Sequence, residues 1–70
     1  MAEIRADMAA TIWRIRVEAG ATIAVGDEVA ILESMKMEIP VESAVAGTIR
    51  SVEVVESQQV QPGDVLLVVE

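Results

Sequence analysis

Apolar side chains recur near every second position along most of the chain, in short runs separated by glycine-containing turns, which is the pattern of strands with one face buried. The pattern also repeats. With an offset of 37, Thr11 falls on Thr48, Ile12 on Ile49, Ile15 on Val52 and Val17 on Val54. The same register carries Ile23 onto Val60, Gly26-Asp27 onto Gly63-Asp64, Ile31-Leu32 onto Val68-Val69 and Glu33 onto Glu70. Each half, residues 8–33 and 45–70, reads as strand, turn, short extended piece, turn and strand. Gly20 marks the earlier turn of the first half, and Pro62 presets the turn at Gly63.

Neither half is large enough to stand alone. Two such units can bury their apolar faces against each other, so the sequence predicts one all-β domain over residues 1–70. The expected form is a flattened β-barrel or sandwich of two four-stranded sheets with approximate twofold symmetry. Pro40 rules out a helix through the middle.

The linker, residues 34–44, has to turn and return. Residues 29–33 and 37–41 are rich in strand formers, which predicts a hairpin with Met35-Lys36 at its tip and Pro40 at an edge or bulge. A two-residue hairpin turn usually takes Asn-Gly or a similar pair, because both central residues need positive φ. Met-Lys breaks that rule, and local rules are broken most often where function requires it.

Composition supports the strand reading. Twelve valines, seven isoleucines and ten alanines stand against three leucines, one tryptophan and no phenylalanine or tyrosine. A domain this small buries only about 60% of its unfolded surface, and without cysteine or histidine it has neither disulfides nor a zinc site to brace it. Twelve acids against five bases give a net charge of -7, which repels phosphate backbones and argues against nucleic-acid binding. No apolar run approaches the roughly 20 residues of a membrane helix, and Glu3 and Asp7 stand where a signal peptide needs a basic, then apolar, start. A cytoplasmic monomer is expected.

Lys36 is the only lysine. Most hairpin lysines are solvated turn charges, but this one is unique, sits between two large apolar side chains and marks the junction of a repeat. A modifying enzyme would meet no competing amine, and the long stem of lysine makes a good tether. Catalysis by Lys36 itself is disfavoured, since a nucleophilic lysine usually sits in a dry pocket or beside another cation, and here Glu33 and Glu38 flank it. With no histidine, cysteine or tyrosine and no catalytic spacing among the acids, the chain is expected to be a non-catalytic carrier.

The segment Glu33-Ser34-Met35-Lys36-Met37-Glu38-Ile39-Pro40-Val41 resembles the attachment hairpin of biotinyl domains in the biotin/lipoyl attachment family. The resemblance extends over nearly the whole chain, whose length is close to that of small stand-alone attachment proteins of bacteria. It implies the barrel-sandwich fold with its twofold repeat, and biotin in amide linkage on Lys36, placed there by a biotin protein ligase. Met35 and Met37 would be the flanking methionines, and Glu33, Ser34 and Glu38 would contribute to recognition, with Ser34 replacing the usual alanine. The carrier would move carboxybiotin between biotin carboxylase and carboxyltransferase sites, the tether supplying a high local concentration. The methionines would either be read by partner enzymes or fold back over the core.

Two departures stand out: Ala10 and Ser57 occupy positions often held by glycine, which predicts turns of altered geometry or slightly lower stability. The "thumb" insertion of some biotin carriers is missing, and no attached carboxylase or transferase domain is expected. The alternatives are a lipoyl carrier, against which Met35 stands where lipoyl domains usually place aspartate, and an unmodified interaction module, against which the intact motif stands.

Overall fold

The computed structural model describes residues 1–70 and consists of eight strands joined by tight turns. They are β1 (Ala2–Arg5), β2 (Ala10–Ile15), β3 (Thr22–Ile23), β4 (Glu28–Ser34), β5 (Met37–Glu42), β6 (Gly47–Val52), β7 (Gln59–Val60) and β8 (Val65–Val69). One four-stranded sheet has the order β1-β8-β6-β3 and the other β5-β4-β2-β7, with every pairing antiparallel.

The two sheets are not the two halves of the chain. The 37-residue offset carries β2 onto β6, β3 onto β7 and β4 onto β8, yet β3 pairs with β6 and β7 with β2. The halves therefore exchange their short strands, and this exchange ties one sheet to the other. Run backwards, the same offset carries β5 onto β1, a strand lying before the first repeat half as the sequence delimits it. The pairing of β1 with β8 is thus the twofold counterpart of β5 with β4.

The symmetry extends to individual hydrogen bonds. Of the 15 backbone bonds outside the ladders, all but that from Glu70 N to Thr48 O have a partner 37 residues away. Gly20 N donates to Ile49 O at 2.8 Å and Ser57 N to Ile12 O at 2.7 Å; Gly26 N donates to Ser43 O and Gly63 N to Ala6 O, both at 2.8 Å. Asp27 and Asp64 close equivalent turns, their carboxylates accepting from Ala24 N and Gln61 N at 2.8 Å. An aspartate that binds the backbone of its own turn fixes the turn without help from elsewhere.

Bulges bend the strands at equivalent places. The register slips at Val29 against β5 and at Leu66 against β1, and both of these side chains are wholly buried. A bulge adds one residue and a local twist, which here turns an apolar side chain inward and curves the sheet toward closure. Val29 and Leu66 join Ile12, Ile49, Leu32, Val69, Ile23 and Val60 in one core drawn from both halves. Ser43 takes the place that the repeat gives to Ala6, and its buried hydroxyl is satisfied by donating to Val45 O at 2.6 Å and accepting from Val45 N at 3.1 Å.

Of the two departures from glycine, Ser57 fits the expected loss of stability and Ala10 does not lie in the expected turn. Ser57 keeps the left-handed turn of its counterpart, at φ 77 against 94 for Gly20, so the geometry is preserved and the serine bears the strain. Ala10 is not in a turn at all: it begins β2 and pairs with Val60.

Candidate functional site

The hairpin of β4 and β5 carries the site. Its ladder runs from Ala30 opposite Val41 through Leu32 opposite Ile39 and Glu33 opposite Glu38 to Ser34 opposite Met37, which leaves Met35-Lys36 as a two-residue turn. Leu32 is buried in the core, and Ile39 is partly buried. Beyond that rung the hairpin leaves the barrel: Glu33, Met35, Lys36, Met37 and Glu38 are exposed and Ser34 is half-buried. The core end of the ladder anchors the tip, and the two turn residues, Met35 and Lys36, stand in solvent.

Met35 has φ 53 and Lys36 φ 66. Two positive values in succession are the sense of a type I′ turn, whose twist matches that of the flanking strands. For side chains other than glycine each such residue costs about 1–2 kcal/mol, and the twelve-residue ladder beneath them overrides that cost. Lys36 is thereby held at the apex of a rigid support, although its own side chain is free. It takes part in neither of the ion pairs of the structure, which join Arg5 to Glu3 and Arg16 to Glu28.

The methionines do not fold back. Met35 is 92% exposed and Met37 65%, so the tip presents a charged amine between two solvent-facing thioethers. Both are unbranched, flexible and polarizable, qualities suited to contact with surfaces of more than one shape. The largest hollow, about 350 Å³ between β1 and β5, is lined by residues including Ile4, Leu32, Ile39 and Val41 and does not reach the turn. The amine is thus presented on an apex and not enclosed in a pocket.

Glu33 and Glu38 face each other directly across the hairpin, both exposed, one rung before the last pair. Like charges so placed destabilise a hairpin. A second acidic pair, Glu28 opposite Glu42, lies at the other end of the same ladder. The first opposition was open to sequence reasoning, because Glu33 and Glu38 are equidistant from the turn. The second depends on the bulge at Val29, which has no sequence signal of its own.

Comparison with known proteins identifies the family. The family described as "Biotin-requiring enzyme" matches residues 1–69. The chain is 50% identical over 60 residues to a biotin/lipoyl attachment protein of Bacillus subtilis (strain 168), covering 86% of this chain and 82% of that one. It is 43% identical over 67 residues to a protein of Mycobacterium leprae (strain TN) described as a biotinylated protein TB7.3 homolog, covering 96% and 94%. Among solved structures, a single-chain, multi-domain long-chain acyl-CoA carboxylase superposes with a TM-score of 0.86 at 33% identity, over 94% of this chain and 7% of the larger one. The chain belongs to the biotin/lipoyl attachment family.

Proposed function

We propose that this chain is a biotin carrier whose attachment point is Lys36. The observation that carries the reading is the turn itself: the only lysine of the chain stands at the apex of a two-residue turn, unpaired, between exposed Met35 and Met37. A biotin protein ligase would present biotin as an acyl-adenylate. The neutral Nζ of Lys36 attacks the acyl carbon, the amide C–N bond forms, the bond to the adenylate oxygen breaks, and the amine gives up a proton.

The residues present fit that role. An exposed apex lets an enzyme close around the amine from either side, and the ladder back to Leu32 and Ile39 limits how far the tip can swing. Biotin, once attached, supplies the ureido nitrogen that takes up and gives up a carboxyl group. The chain supplies reach: the lysine stem and the hairpin keep the attached group at high local concentration near the sites it must visit. Biotin carboxylase and carboxyltransferase components are its partners, a reading supported by the resemblance to a domain-sized part of an acyl-CoA carboxylase. Within the tip, Met35 and Met37 offer apolar contact, while Glu33, Ser34 and Glu38 give the ligase a charged and polar margin to read.

The test is transfer in a purified system. With biotin protein ligase, ATP and biotin, the chain should take up a single biotin, and folded Lys36→Arg should take up none. Label on a folded Lys36→Arg chain would remove Lys36 from its role.

A further inference from the structure

The four methionines of the chain stand in distinct surroundings. Met35 and Met37 are 92% and 65% exposed, and neither belongs to the core nor to the residues packed against it. Met8 is half-buried in the bend between β1 and β2. Met1 is 83% exposed, at the start of the chain and outside the hairpin that carries Lys36. An oxidant arriving from solvent thus finds the most exposed methionine of the chain immediately before Lys36.

We infer that Met35, with Met37 behind it, is a sulfoxidation site that switches the capacity of Lys36 to be modified. The co-reactant is a peroxide. The thioether sulfur attacks one peroxide oxygen, an S–O bond forms as the O–O bond breaks, and the sulfur loses two electrons to the departing oxygen. The proton on the transferred oxygen passes to the departing hydroxide, which leaves as water. The product is a sulfoxide, polar where the thioether was apolar, and reversible by methionine sulfoxide reductases.

The position of Met35 separates two consequences that usually occur together. In a core, a sulfoxide disrupts packing and the lesion is read as lost stability. On this turn there is no packing to lose, so the barrel stays intact and the change is met only by an enzyme that closes on the tip. This inference rests on the carrier reading of Lys36, and the untreated sample tests that reading separately.

The experiment uses the full chain, unmodified at Lys36, treated with dilute hydrogen peroxide, peptide-mapped, and offered to biotin protein ligase with ATP and biotin. Met35 should gain oxygen before Met8, the unfolding midpoint should not move, and the initial rate of biotin incorporation should fall at least about fivefold, the effect of losing roughly 1 kcal/mol of contact. Methionine sulfoxide reductase should restore the rate, and a Met35→Leu/Met37→Leu chain should incorporate biotin equally fast before and after peroxide. Equal rates for oxidised and untreated protein would overturn the switch, as would oxidation of Met8 ahead of Met35. Untreated protein that accepts no biotin would overturn the reading of Lys36 itself, and this inference with it.

Discussion

Gly20 and Ser57, 37 residues apart, hold the same left-handed turn, and the backbone N–H of each donates to the equivalent carbonyl of the other half, Ile49 O and Ile12 O. One turn is made with the residue suited to it and the other is not. Replacing Ser57 by glycine removes a Cβ penalty of about 1–2 kcal/mol, partly offset by the added freedom of the unfolded chain, about 0.4–1 kcal/mol. Ser57→Gly should therefore stabilise the domain by up to about 1 kcal/mol, read as a rise in the urea midpoint at constant slope.

Gly47 presents the opposite case. A Cβ there would overlap the carbonyl oxygen of Glu70 and lie 2.9 Å from Cγ1 of Val69, at φ 156. Its counterpart in the repeat, Ala10, carries that Cβ within β2 without a positive φ, so the need for glycine at position 47 comes from its backbone conformation together with the close approach of the end of β8. Gly47→Ala should cost about 1–3 kcal/mol, the range for an overpacked site, and urea denaturation would show it. An unchanged midpoint would mean that both the backbone at position 47 and the end of β8 yield freely.

Much of this was legible in the sequence. The 37-residue register and the turns at Gly26 and Gly63 follow from apolar alternation and turn residues, while the turn at Met35-Lys36 follows from the strand formers on either side of it, against the preference of its own two residues. The exchange of β3 and β7 between sheets was not. A repeat says that β3 and β7 are equivalent, but not which copy of β2 or β6 each will join, since both offer the same apolar face. The bulges at Val29 and Leu66 escaped for a related reason: each lies within a run of apolar residues, where slippage by one leaves no change in pattern. At the site, the exposure of Met35 and Met37 was one of two open readings, and only the length of the projecting ladder decides it.

The turn at Met35 trades stability for presentation. Met35→Asn puts a residue tolerant of positive φ at the first central position, and should stabilise the hairpin by about 0.5–1 kcal/mol while slowing biotin incorporation by the ligase. Thermal unfolding and initial-rate measurements on the same preparation check both halves of the statement. A faster acceptor would mean that Met35 is kept for some purpose other than contact.

The opposed carboxylates of Glu33 and Glu38 carry a similar signature. Glu38→Gln relieves the repulsion between directly paired like charges and should stabilise the fold by about 0.2–1 kcal/mol at low salt, with the gain shrinking as salt is added. If the acidic margin is read by the ligase, the same substitution should raise the KM for the carrier. Unaltered KM would confine these acids to solubility.

The most direct measurement is the intact mass of the protein purified from its own host, with peptide mapping of residues 29–41, beside the same measurement on Lys36→Arg. The carrier account predicts a single biotinyl increment on Lys36 and none on the folded variant. A lipoyl increment on Lys36, biotin on any other residue, or an unmodified mass in a host supplied with ligase and biotin would contradict it.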